Sequence, residues 1–195
     1  MSTMTAYHGT YWEIDTNDPE SAVFLCPDPG YNDHSAVYFT DSATTARWFA
    51  TQDTGAGSPQ GEVKEIRVVL KGHLELTTGL SLDAQALSEK GLEPLVALDS
   101  DGDSLHLSHD REELLERMPL YGYSHLIVEN NYPNDGLDPG SDICVLGPPS
   151  FQCSQVAFMQ PDGTWSDFLE PEQAIDQAFE AWDVSNNEPS PAPSP

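Results

Sequence analysis

Two β-rich segments late in the chain, SHLIVE at 124–129 and DICVLG at 142–147, are joined only by the polar run NNYPNDGLDPGS. Neighbouring strands late in the chain, in an element order that is otherwise mixed, set it apart from a doubly wound parallel sheet, and the expected class is α+β.

The rest of the chain reads in the same mixed order. A first strand is expected at about 5–7, followed by a loop from Thr10 to Ser35. AVYFT at 36–40 alternates and is rich in β-formers, so it reads as a second strand. DSATTARWFA follows as a helix, with Asp41 or Ser42 as N-cap and Ala46, Phe49 and Ala50 on one face. TGAGSPQG at 54–61 is a loop, and EVKEIRVVL at 62–70 carries the strongest strand signal. A short helix is expected at 81–88, then a strand running into the acidic turn of EPLVALDSDGDS. Asp110 and Glu113 form a capping box for REELLERM, which Pro119 ends. QVAFMQ, the turn PDG and TWSDF read as a hairpin. Ile175, Ala178, Phe179 and Trp182 make one helical stripe after Pro171. The expected organisation is a single domain over 1–183 and a disordered Pro/Ser-rich tail over 184–195.

Charge narrows the classes of partner. Seven Lys and Arg stand against 33 Asp and Glu, a net charge of −26 spread along the chain. Such a field repels nucleic acid and anionic membranes and speeds encounter with a basic protein. A surface imitating nucleic acid is one reading of it, and plain solubility is another. MSTMTAYHG has no basic flank and no apolar run, and no stretch approaches the roughly 18 apolar residues of a membrane span. Cys26, Cys144 and Cys153 lack metal-ligand spacing, so a cytoplasmic protein with reduced thiols is expected.

Several chemistries are weak on their own residues. Asp99, Asp101 and Asp103 alternate as in a calcium loop, but Ser104 replaces the turn glycine and Asp110 the closing Glu. His106 and His109 have no evident third ligand, so no metal is expected. Cys144 lies in an apolar strand and reads as a packed thiol. No nucleophile elbow, P-loop or dinucleotide glycine motif is present. What remains is an ordered set: AYHGT ending a strand, AVYFTDSATTARWFA as strand and helix, then GYSHLIVENN and SDICVLGP.

That set resembles the ADP-ribosyltransferase fold, in the branch with a His-Tyr-acid triad that includes diphtheria-toxin-like and poly-ADP-ribose-polymerase-like enzymes. His8-Gly9-Thr10 matches its first motif, and Val37-Tyr38-Phe39-Thr40 with the Ala-rich 43–50 matches its second. Asp142-Ile143-Cys144-Val145 stands where the family has an acid, usually Glu, heading a strand; Gly122-Tyr123 and Leu126 recur before it in phage and bacterial members. The resemblance implies split antiparallel sheets with flanking helices. It also implies a mono-ADP-ribosyltransferase that uses NAD as substrate and modifies a protein, as a phage or bacterial effector.

In that reading His8 hydrogen-bonds a ribose hydroxyl, Gly9 lets the cofactor approach the backbone, and Thr10 orients the nicotinamide amide. Tyr38 stacks on the cationic nicotinamide ring, beside Phe39, an attraction of roughly 1–2 kcal/mol where water is excluded. The acid stabilises the ribosyl cation. Asp142 ranks first and Glu129, in IVENN, second, because Asp is one methylene shorter than the family's Glu. A basic nucleic-acid-binding protein is the acceptor that the charge suits. Two other readings stay open: a non-catalytic acidic inhibitor of a basic protein surface, and an NAD glycohydrolase.

Overall fold

Alternation at the N-terminus does not stop at the His-Gly-Thr triplet. Trp12 and Ile14 are buried on either side of exposed Glu13, so the period of two continues. In the computed structural model, which describes residues 2–15, 25, 36–52, 63–83, 96–98, 104–106, 115–131 and 140–182, strand β1 accordingly spans Ser2–Asp15. It pairs antiparallel along its whole length with β3 (Val63–Leu76), from Ser2↔Leu76 to Asp15↔Val63. The expected break after residue 7 and the loop from Thr10 are therefore corrected as far as Asp15: the triplet lies within a strand.

Five further strands complete one sheet: β2 (Ala36–Thr40), β4 (Gly79–Asp83), β7 (His125–Asn131), β8 (Gly140–Leu146) and β9 (Ser150–Phe158). The order is β4-β7-β8-β2-β1-β3-β9, and every neighbouring pair is antiparallel except β4 with β7. A separate antiparallel pair joins β5 (Val96–Leu98) to β6 (Ser104–His106). The fold is α+β with a mixed sheet, and the two late strands pair directly as their short connection requires.

Helices lie on both faces of this sheet. Helix α1 (Ala43–Thr51) starts at Ser42, whose hydroxyl accepts the Thr45 N–H at 3.2 Å, and it buries Thr45, Ala46 and Ala50. It covers Val69 and Tyr7 on one face, with Trp165 and Phe168 beside it. On that same face Leu115 and Met118 cover Leu126, Val128 and Cys144. Helix α2 (Pro171–Ala181) lays Ala174 and Ala178 on the opposite face, over Trp12, Ile14, Ile66, Val68 and Leu70. The expected stripe holds there: Ile175, Phe179 and Trp182 pack at its border, and Trp182 Nε1 donates to the Met159 carbonyl at 2.8 Å.

Local corrections have local causes. The helix expected over 81–88 is strand β4 up to Asp83, because Leu80 and Leu82 alternate into the Leu126–Val128 cluster and pair with β7. The α-helical turn at 115–117 ends just before Pro119, as expected; the chain goes on as a 3-10 helix, Met118–Tyr121, with Pro119 in its first turn, which Gly122 closes with φ of 76°. Phe49, expected on the buried face of α1, is 40% exposed, and Thr45 takes the inward place. The PDG hairpin forms as read, with bridges Met159↔Trp165 and Val156↔Leu169. The glycine-rich loop, the alternating aspartates, the Asp110–Glu113 box, Cys26, His109 and the tail lie outside the described residues.

Candidate functional site

The strands that carry the three motifs are consecutive in the sheet, β8-β2-β1, although His8 and Asp142 are far apart in sequence. β2 pairs with β8 along its whole length, placing Tyr38 opposite Cys144, Phe39 opposite Ile143 and Thr40 opposite Asp142. β1 and β2, by contrast, meet at the single pair Tyr7↔Thr40. Beyond it the two strands part, and a side chain takes over from the backbone ladder: His8 Nδ1 lies 2.8 Å from the Tyr38 carbonyl oxygen.

That bond fixes the histidine's chemistry. A carbonyl can only accept, so Nδ1 carries the hydrogen and neutral His8 presents Nε2 as an acceptor. Burial holds the His8 pKa below its ordinary 6.5, against the opposing pull of the Tyr38 carbonyl. The ring is packed deep beside Phe39, 5.5 Å between centroids, yet the residue keeps part of its surface in solvent. Neutral near pH 7 and partly accessible, it is suited to accept a hydroxyl hydrogen.

Side-chain alternation divides the remaining residues between the two faces. Tyr38, Thr40 and Asp142 stand with Tyr7 on the α1 face, while His8, Thr10 and Phe39 stand on the α2 face. Tyr38 is 38% exposed, so its ring is accessible. Asp142 is 6% exposed and lies between Thr40 on β2 and Val128 on β7. Glu129 is exposed one strand farther out, where its Oε1 accepts the Ser81 hydroxyl at 2.5 Å. Asp142 thus neighbours the tyrosine strand and Glu129 does not.

Two motif residues have packing roles. Phe39 is buried in the cluster of Ala6, Val37, Leu74, Leu76, Ile143 and Val145, with the Phe151 ring 5.1 Å away, so its ring belongs to the core rather than to a ligand. At Gly9, a Cβ would overlap the Ala46 carbonyl oxygen and come within 3.0 Å of the Ala50 nitrogen. The space that glycine leaves empty is filled by the α1 backbone, not kept for a cofactor.

Sequence reasoning missed the corner that holds β8 in place. Asp41 Oδ1 accepts the Ser141 N–H at 2.7 Å, and Thr40 Oγ1 accepts the Ser42 N–H at 3.2 Å. Gly140 fits under this corner, where a Cβ would sit 3.0 Å from Ser42 Cβ and 3.2 Å from Asp41 Oδ1. The only signal in the sequence was Asp41-Ser42 itself, read as a helix cap. Among the described residues no group of three His, Cys, Asp or Glu could hold a metal ion, and no helix is long and apolar enough to cross a membrane. Comparison with family models, with curated proteins and with solved structures finds no match to this chain.

Proposed function

We propose that the chain is an NAD-dependent mono-ADP-ribosyltransferase whose cleft lies at the parting of β1 and β2. The observation that supports this reading most is the adjacency of the three motif strands, with His8 bridging to Tyr38 across the gap. NAD passing through the gap would meet His8 Nε2 towards the α2 face and the accessible Tyr38 ring towards the α1 face. Asp142, on the next strand, is the acid nearest that tyrosine in the sheet.

The chemistry asks little more of the protein. The bond between the nicotinamide nitrogen and ribose C1′ breaks, its electron pair leaving with neutral nicotinamide. The ribosyl cation then forms a bond to a nucleophile on the acceptor, which gives up a proton. A fixed carboxylate beside developing positive charge supplies a few kcal/mol, about what one well-placed electrostatic group contributes. A water acceptor would make the same site an NAD glycohydrolase. The net charge of −26 suits a basic protein acceptor.

Titration with NAD by calorimetry, together with a nicotinamide-release assay, tests the proposal. Saturable binding is expected, weakened about tenfold or more in His8→Ala by loss of a buried hydrogen bond. Release is expected to fall in Asp142→Asn and to persist in Glu129→Gln. Wild-type protein that neither binds NAD nor releases nicotinamide would leave the acidic-inhibitor reading in its place. His8→Ala that binds NAD like the wild type, with its circular dichroism unchanged, would refute the assigned cleft.

A further inference from the structure

Cations are scarce in this chain, seven against 33 acidic residues, so each has carboxylates in abundance to pair with. Arg67 does so, its Nη2 lying 2.6 Å from Glu65 Oε1. Arg47 and Lys71 do not: among the described residues, neither pairs with a carboxylate. Each lies instead over the same aromatic ring. The Arg47 guanidinium carbon lies 5.6 Å from the Phe168 ring centre and 5.7 Å from that of Trp165, and Lys71 Nζ lies 5.4 Å from Phe168. Lys71 donates to a neutral partner, Gln155 Oε1, at 2.7 Å. Among the described residues, buried Arg47 Nε has no hydrogen-bond partner. Asp167, the acid next to Phe168 in sequence, is exposed and pairs with neither cation.

The ring beneath these charges is rigidly held. Tyr7 packs against Phe168 with 5.7 Å between centroids. The segment bearing both aromatics is fastened to β9 by backbone bonds of 2.8–2.9 Å, Ser166 to Phe158 and Leu169 to and from Val156. A guanidinium lying against aromatic faces keeps its N–H groups in their own plane, oriented for a forked contact with oxyanions, and a nearby ammonium adds a point charge. We propose that Arg47 and Lys71 form a binding site for a phosphoryl anion, with Phe168 and Trp165 as its floor.

Its place in the sheet is defined by register. Lys71 is opposite Tyr7, and Tyr7 is opposite Thr40, so the site is two strands from β2 on the α1 face, about 10 Å at ordinary strand spacing. The diphosphate of a dinucleotide and a free phosphate compound share the required chemistry. The anion site rests on the cation pair and does not depend on the NAD cleft.

Calorimetric titration with inorganic pyrophosphate, at ionic strength matched with sodium chloride, tests it. One saturable site is expected, weakened about tenfold or more in each of Arg47→Met and Lys71→Gln, as expected for losing a charged hydrogen-bond partner. Arg67→Gln, which removes an equal charge from the same strand as Lys71, is expected to bind like the wild type. Absence of saturable binding, unchanged affinity in both variants, or an equal loss in Arg67→Gln would overturn the site; Lys71→Gln decides the matter should Arg47→Met misfold. A parallel titration with NAD identifies the source. Competition with pyrophosphate and weaker NAD binding in the variants assign the site to a dinucleotide diphosphate. Pyrophosphate binding without any effect on NAD assigns it to a free phosphate compound. Both upholding outcomes remain distinct from failure of the NAD cleft, which His8→Ala reads separately.

Discussion

Replacing Gly9 by alanine separates a packing role from a ligand role at the motif's central residue. The added Cβ would overlap the Ala46 carbonyl oxygen and approach the Ala50 nitrogen to 3.0 Å. Both atoms are helix backbone, so no side-chain rotation relieves the contact; α1 as a whole must lift from the sheet. The helix sits this close because Ala46 and Ala50 are small, and lifting it also loosens their packing on Val69. Overpacking of this kind costs about 1–3 kcal/mol, and the upper half applies where backbone must move. The lower chain entropy of alanine in a strand offsets roughly 0.5–1 kcal/mol. A net loss of about 1–2 kcal/mol is expected, which lowers Tm by about 2–8 °C in a chain of this size. Urea unfolding without any ligand is the assay, with an unchanged m-value showing that only stability has moved. A Gly9→Ala midpoint equal to the wild type's would refute the tight seat of α1 and return Gly9 to a purely ligand-facing role.

Two further outcomes follow from the site's surroundings. His8 and His125 are both held below the ordinary pKa of 6.5, chiefly by burial, so the unfolded chain binds protons more readily than the folded one. Their contribution to stability is full above about pH 6.5 and is lost as the pH falls below it; urea midpoints between pH 7.5 and 5 should decline, less steeply in His125→Gln, and a flat profile would contradict the burial argument. Burial also pushes the Cys153 thiol up to about 11 from 9.0, against the lowering bonds from the Gln155 and Lys71 backbone. At pH 8 its alkylation in the native protein should be about a hundredfold slower than in the urea-unfolded protein, by thiolate fraction alone, as peptide-resolved mass spectrometry can measure.

What the sequence disclosed tracks how local the determining forces are. AVYFT became a strand with the bounds read from its alternation, and the DS-A-T-T-A run became a helix capped by Ser42. These depend on neighbours in the chain. β4 reads as the start of a helix because its five residues, Leu80 and Leu82 among them, carry little signal alone; their β-structure comes from parallel pairing with β7. Pro119 is legible for the opposite, local reason: a proline cannot continue an α-helix, yet its fixed φ suits the first turn of the 3-10 helix that follows. At the site, the order of the motifs along the chain shows neither that the His, Tyr and Asp strands are neighbours in the sheet nor how their side chains divide between its faces. Facing depends on whether a residue falls at an odd or even step of a paired register, and register is set by β3 and β8, distant in sequence. The Arg47–Lys71 pair was invisible because its organiser, Phe168, lies about a hundred residues beyond Lys71, in a segment read only as half of a hairpin.

His8 and Gly9 can now be understood as one device rather than two motif letters. Gly9 allows α1 to press against β1 by its backbone, and only Asp41 and Ser42 separate the end of β2 from the start of α1. A helix drawn in so closely at the end of β2 fixes Thr40 against Tyr7, the only point where the two strands pair. From that anchor the strands diverge, and the β2 edge facing β1 would be left short of donors. His8 supplies one: its Nδ1 hydrogen satisfies the Tyr38 carbonyl that the missing ladder leaves open. The glycine therefore sets where the sheet begins to part, and the histidine makes the parting tolerable while leaving Nε2 unspent. A larger residue at position 9 or a ring without that hydrogen at position 8 disturbs the same opening from opposite sides. Their placement side by side in β1 is what a sheet built to part at one point requires.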